Sequence, residues 1–320
     1  MQPLLNNPRL SLVVPVYGNE GAIDALLAAV RGIAGRVDGD FEAVFVVDGS
    51  PDRSYALLRE RLPQAGFRAR LLGLSRNFGA FAAIRAGLEA ARGRVIAVMA
   101  ADLQEPPELV LEFLKVMDEG NTDVVFGVRT ARADPLGSRL ASGLFWSLYR
   151  RFVMPDIPPG GVDIFALTAN FRDRLVGLRE SNSSLLAQLF WLGGRRAFVP
   201  YERRAREHGR SGWTLRKKLR YLSDSIFAFT DLPVRLLFWL GATALAVAML
   251  LGAVVVVARV SGWVDVPGYA ATMLAILFFG ALNALGLGVV GTYAWRAFEN
   301  TKARPLAVVL VDDSFEGDRA

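Results

Sequence analysis

Two long uncharged stretches in the last third of the chain constrain its architecture more than any other feature. Leu236 to Ala258 carries no charged side chain and is bounded by Arg235 and Arg259, and Val266 to Trp295 is likewise uncharged. At helical rise the first run, about 23 residues, matches a bilayer hydrocarbon core of roughly 30 Å. The second, about 30 residues, is long enough to tilt or to project past the lipid. Core helices of a soluble fold are the alternative, but two such runs in tandem favour a pair of membrane spans. The apolar excess of the whole chain, 52% hydrophobic residues with a mean hydropathy of +0.31, concentrates here. Up to about Tyr201 charged and apolar residues mix as in a soluble domain.

Charge flanking the apolar runs is one-sided. Arg216, Lys217, Lys218, Arg220 and Arg235 precede the first, Arg296, Lys302 and Arg304 follow the second, and the connector holds only Arg259 and Asp265. The positive-inside rule places both termini and the soluble domain in the cytoplasm, with the connector outside. The formal net charge of +6 thus reads as attraction to anionic headgroups rather than to nucleic acid, for which no fold signature is present. The absence of cysteine excludes disulfides, thiolate metal sites and thiol catalysis. No basic region followed by an apolar core opens the sequence, so no cleavable signal is expected.

The first half alternates strand and helix. Leu10–Val16, Phe41–Val47, Phe67–Leu74, Arg94–Met99 and Asp123–Val128 are apolar, β-rich runs. Helical patterns cover Gly21–Ile33 and Ala80–Ala91, and Pro106-Pro107 opens another. This rhythm predicts an α/β domain with a mostly parallel sheet covered by helices on both faces. Ligands of such sheets gather at strand carboxyl ends, where the polar clusters Asp48–Asp52 and Asp102–Glu105 stand. Farther on, Leu215, Leu219, Leu222, Ile226 and Phe229 recur at helical spacing beside the basic residues. Such a helix lies in the membrane interface or packs on the soluble domain. The expected organisation is a cytosolic domain over 1–201, a basic loop and interfacial amphipathic helix over 202–233, two transmembrane helices over 234–297, and a cytosolic tail over 298–320.

Asp102 and Gln104, two residues apart after a strand, supply oxygen atoms of the kind a hard divalent cation takes, with phosphates and water completing the set. The same spacing before prolines also serves as a helix cap. Gly280, Ala284 and Gly288 repeat at four-residue intervals in the second apolar run. They permit close helix packing, within one chain or between subunits of a homo-oligomer, and Asn283 is expected to face protein.

The array Val13-Val14-Pro15-Val16-Tyr17, Val47-Asp48-Gly49-Ser50-Pro51-Asp52, Ser75-Arg76-Asn77-Phe78-Gly79 and Asp102-Leu103-Gln104-Glu105-Pro106-Pro107 resembles family 2 glycosyltransferases. Within that family it is similar to the branch holding dolichol-phosphate mannose synthase and the bacterial undecaprenyl-phosphate sugar transferases. The stretch Arg206-Glu207-His208-Gly209-Arg210-Ser211-Gly212-Trp213 and the run Glu299 to Pro305 agree with it. The resemblance implies a GT-A-like fold at the cytoplasmic face of a bacterial inner membrane. It implies inverting transfer of a sugar from a UDP or GDP donor to a polyisoprenyl phosphate. It further implies that Pro15, Tyr17, Glu20, Asp48, Ser50, Asp52 and Asn77 line the donor site. Asp102 and Gln104 would hold Mg²⁺ or Mn²⁺ on the diphosphate. Arg129, Arg139, Ser142, Arg206 and Ser211 fall where the acceptor phosphate is met, and Asp163 matches an acid sometimes cast as a base; Asp102, Asp163 and Arg129 form the catalytic set.

Two carboxylates of the family pattern are missing, with Val47 before Asp48 and Ala100 two residues before Asp102. Either the cation leans more on the donor phosphates, or the donor is arranged differently, or the chain is an inactive nucleotide-sugar-binding or scaffold relative. The reaction itself asks little of a base, because a phosphate monoester is largely ionised at neutral pH. It asks instead for positive charge on the departing diphosphate. His208, the only histidine, reads as structural.

Overall fold

The computed structural model describes residues 7–37, 40–130, 143, 146–159, 161–203, 215–262 and 268–317, the side chains of 215–220, 269–271 and 274 excepted. Its centre is an eight-stranded sheet of order β7-β5-β6-β4-β1-β2-β3-β8. The strands are β1 (Leu10–Val16), β2 (Phe41–Val47), β3 (Arg68–Leu74), β4 (Val95–Val98), β5 (Val124–Arg129), β6 (Phe165–Thr168), β7 (Arg196–Tyr201) and β8 (Val309–Phe315). Pairings β1–β2, β1–β4, β2–β3 and β5–β7 are parallel, while β6 and β8 run against their neighbours. The expected mostly parallel sheet is therefore present.

Continuous apolar strands form because both faces are covered. Every residue of β2 is buried, and the pleat sends alternate side chains to opposite sides. Leu12, Val14, Phe45 and Val47 enter one core with α1 (Ile23–Ala34), α2 (Ser54–Arg61) and α4 (Glu108–Asp118). Val13, Val44 and Val46 enter a second core with α3 (Ala80–Ala90), α5 (Ala169–Gly177) and α6 (Leu185–Trp191). A β-carbon at Gly87 of α3 would lie 2.3 Å from Val13 Cγ1, so glycine there lets the helix settle on the sheet.

The amphipathic helix α7 (Leu215–Phe229) lays Leu222, Ile226 and Phe229 on the second core. Tyr221 stacks on Tyr149 at 5.7 Å, and Ser184 Oγ lies 3.0 Å from its hydroxyl. This face of the helix thus packs on the α/β domain. The last helices are α8 (Leu232–Val260) and α9 (Tyr269–Thr301). Both contain segments long and apolar enough to cross a membrane, with mean hydropathies of 2.5 and 1.8. They touch through Leu237 and Gly286. Gly280, Asn283, Ala284 and Gly288 are exposed in the single chain.

Arg296 fastens this hairpin to the domain. Its guanidinium pairs with Asp224 of α7 at 2.7 Å and donates to Asn182 O at 3.1 Å. The chain then re-enters the sheet within the segment read from the sequence as a cytosolic tail over 298–320. Residues Val309–Phe315 form β8 against β3, and Arg70 on β3 holds Asp312 at 2.6 Å.

Candidate active site

Strand direction gathers the site at one edge. The carboxyl ends of β1 to β5 and β7 lie together with the amino ends of β6 and β8, as the parallel and antiparallel pairings require. Order reverses at β1, which separates β2 and β3 from β4. Such a switch point opens a crevice between the loops that leave β1 and β4.

Pro15 sits in this central strand without breaking it. Met99 N donates to Val13 O and Asp48 N to Val16 O, so residues 13 and 15 face β4 and residues 14 and 16 face β2. The β1–β4 ladder stops at Val13, and the missing N–H of Pro15 falls where no partner strand remains.

The loops after β1 and β2 are stitched together. Gly18 N donates to Ser50 Oγ at 2.8 Å, Glu20 N to Asp52 Oδ2 at 2.9 Å, and Arg53 N to Glu20 Oε2 at 3.1 Å. Ser50 Oγ also donates to Asp52 Oδ1 at 2.6 Å. Burial works to raise the Asp52 pKa, but the hydrogen bonds from Ser50, Ser54 and the Glu20 amide outweigh it and hold it below its ordinary value. Tyr17 stands exposed beside this cluster. Asp48 is buried and accepts from Phe78 N at 2.7 Å and Gly79 N at 2.8 Å. Its carboxylate thus fixes the loop before α3, and Asn77 is left exposed on that loop. Gly49 (φ +56°) permits the contact, since a β-carbon there would lie 2.3 Å from the Arg76 carbonyl carbon.

A second, charged cluster surrounds the loop after β4. Leu103 has φ 52°, an uncommon left-handed conformation for a branched side chain, and it sits between Asp102 and Gln104. Backbone strain of this kind concentrates at functional sites. Gln104 and Glu105 are buried. Arg203 Nη2 donates to Gln104 Oε1 at 2.5 Å, and its Nε stands 3.6 Å from Glu105 Oε1. On the far side Arg129, at the end of β5, pairs with Asp163, which precedes β6. Tyr201, at the end of β7, donates to Asp163 Oδ2 at 3.0 Å. Among the described residues Glu105 Oε2 and Arg129 Nε are buried without hydrogen-bond partners.

The charges are interdependent. Burial raises the Glu105 pKa to about 7; Arg203 pulls it down, while Asp163 and Asp102 push it up. Burial works against the Arg129 charge, but Asp163 and Tyr201 more than compensate and raise its pKa. Tyr201 is pushed up by burial and by the Asp163 and Glu105 charges.

The structure thus brings together Pro15, Tyr17, Glu20, Ser50 and Asp52 at one side of the switch point, and Asp102, Gln104, Arg129 and Asp163 at the other. Arg139, Ser142, Arg206 and Ser211 lie outside the described residues. Sequence reasoning missed Glu105, Tyr201 and Arg203. Glu105 belonged to a motif already singled out, and only its burial separates it from a helix-opening acid. Arg203 is one of three arginines between Glu202 and Glu207, and spacing does not choose among them. Among the described residues no group of three or more Asp, Glu or His could hold a metal ion. Asp102 with Gln104 still fits a cation such as Mg²⁺, which takes one or two carboxylates, retains water and draws other ligands from phosphates.

Comparisons with known proteins identify the family. Residues 11–173 match the family model described as glycosyl transferase family 2. The uncharacterized glycosyltransferase sll0501 of Synechocystis sp. is 31% identical over 94% of each chain. A prophage bactoprenol glucosyl transferase homolog of Escherichia coli is 28% identical, covering 94% of this chain and 98% of its own. The undecaprenyl-phosphate 4-deoxy-4-formamido-L-arabinose transferase of Edwardsiella ictaluri is 29% identical over 92% and 91%. Among solved structures, glucosyl-3-phosphoglycerate synthase of Mycobacterium tuberculosis aligns at 16% identity over 71% of this chain and 84% of that one, with a TM-score of 0.46. The chain belongs to glycosyltransferase family 2.

Proposed function

We propose that the protein transfers a sugar, with inversion, from a nucleotide donor of the UDP or GDP type to a polyisoprenyl phosphate at the cytoplasmic face of a bacterial inner membrane. The observation that carries the reading is the meeting, at one sheet edge, of the Asp102–Glu105 loop with Arg129 and Arg203. A diphosphate on one side and an anionic acceptor on the other both need such a place. The relatives whose names specify bactoprenol or undecaprenyl phosphate support the acceptor class.

The loops of Tyr17–Glu20 and Ser50–Asp52 frame the nucleotide, and Asp48 holds the Asn77 loop beside it. A divalent cation held by Asp102 and Gln104 would neutralise charge building on the departing diphosphate. Arg129 orients the acceptor phosphate, whose oxygen bonds to the anomeric carbon as the bond to the diphosphate breaks and its electron pair leaves with that group. Asp163, already engaged by Arg129 and Tyr201, orients the arginine rather than removing a proton.

The fold and the apolar helices together support this membrane placement. Because β8 belongs to the same sheet as β1, a chain that leaves through α8 returns through α9 to the same side. A cavity of about 790 Å³ lies at the base of the hairpin, lined in part by Arg151, Phe152, Phe227, Phe229, Val234 and Tyr293. Its partly apolar lining suits a prenyl chain. Thermal unfolding of detergent-purified protein against a panel of UDP- and GDP-sugars tests the donor class. Selective stabilisation by one nucleotide sugar is expected, and indifference to all of them contradicts the reading.

A further inference from the structure

Arg203 is held in an unusual place for a cation. Its guanidinium occupies the amide oxygen of Gln104 at 2.5 Å, and that oxygen is one of two candidate ligands in the loop. The neighbouring carboxylate Glu105, buried at 2% exposure, lies 3.6 Å from Arg203 Nε. The Arg203 side chain itself is 31% exposed, so it is engaged by the loop without being sealed from solvent. Meanwhile the loops carry fewer acids than a cation-binding pair of loops would offer, with Val47 beside Asp48 and Ala100 before Asp102.

We propose that Arg203 is a built-in cation of the donor site, which shares the diphosphate charge with the divalent ion and competes with that ion for Gln104. The inference rests on the glycosyltransferase reading above and adds a residue to it. Three features make the geometry specific. An arginine cannot lose its proton near neutral pH, so its charge is permanent. Its planar fork engages Gln104 and Glu105 from separate nitrogens, which fixes its direction. Two positive charges a few ångströms apart repel, so a guanidinium at Gln104 weakens any cation placed beside it. A nucleoside diphosphate neutralises both charges and lets them coexist. The divalent ion is therefore held well only when the nucleotide is present, and the nucleotide retains part of its affinity when the metal is absent.

Removing the arginine should move two affinities in opposite directions. Full-length protein is titrated with Mn²⁺, free ion being followed by electron paramagnetic resonance, and separately with UDP and GDP in the presence of a chelator. Arg203→Met is expected to tighten Mn²⁺ binding in the absence of nucleotide by roughly tenfold. It is expected to weaken metal-free binding of the preferred nucleotide by a similar factor. Arg203→Lys keeps the charge but loses the fork, and should fall between wild type and Arg203→Met in both measurements. It also serves where the methionine variant fails to fold. Mn²⁺ affinity that is unchanged or lower in the variants overturns the proposal, whatever the nucleotide does. Wild-type protein that binds neither UDP nor GDP even with Mn²⁺ overturns the functional reading as well, so the two failures are distinct.

Discussion

Tyr201 donates its hydroxyl to Asp163 across 3.0 Å, joining the end of β7 to the residue that leads into β6. Arg129 pairs with the same carboxylate oxygen. An acid held by a permanent cation and a hydroxyl is an anchor for both.

Asp163→Asn should therefore lower turnover by about a hundredfold through misplacement of Arg129, a loss typical of electrostatic stabilisers. The donor KM should hold while the acceptor KM rises, and steady-state kinetics with each substrate varied separates the two. Tyr201→Phe removes one hydrogen bond and should cost about 1 kcal/mol of stability with a smaller loss of rate.

Gly49→Ala places a methyl group against the Arg76 carbonyl carbon and forces a left-handed φ on an L side chain. Strain of this kind costs on the order of 1–3 kcal/mol. Lowered melting temperature and weakened nucleotide binding should appear together, because the Asn77 loop moves with Gly49.

Asp123, at the start of β5, has its pKa lowered to about 2 by hydrogen bonds from the Arg195 side chain and backbone amide. The folded-state value lies below the ordinary 3.8, so folding favours the ionised form. Its stabilisation is present above pH 3.8 and is lost as pH falls toward 2. Asp123→Asn should flatten the fall of melting temperature across that window, and melts at stepped pH measure it.

The strand boundaries of β1 and β2 were legible to the residue, because a sheet covered on both faces demands unbroken apolar runs ending in polar turns. Strand β8 was not. Val309-Leu310-Val311-Asp312-Asp313 after a long apolar helix has the look of a tail, and its partner β3 lies far back in the sequence. Pairing at that separation leaves no local trace. In the site, Asp102 and Asp48 could be picked out as acids at strand ends. That Asp48 ligates the amides of Phe78 and Gly79 depends on where the β3–α3 loop comes to rest. The charged cluster was half legible for the same reason, since Arg203 meets Gln104 only after β7 has paired beside β5.

The hairpin of α8 and α9 predicts a simple topology. The chain has no cysteine, so single replacements report cleanly. In right-side-out bacterial vesicles a membrane-impermeant maleimide should label Ser261→Cys, in the turn after α8, but not Glu60→Cys on α2. Labelling of Glu60→Cys without permeabilisation contradicts a cytoplasmic domain.

The central claim is chemical, that the crevice beside Asp102 moves a sugar onto a lipid phosphate. Purified protein in nanodiscs containing undecaprenyl phosphate, given a radiolabelled nucleotide sugar and Mg²⁺, measures it through label recovered in organic solvent. Label should accumulate with wild-type protein using the donor that stabilises it, and fall by about a hundredfold or more in Asp102→Asn. Equal transfer by both proteins, or donor binding with no transfer to the lipid by either, contradicts the account.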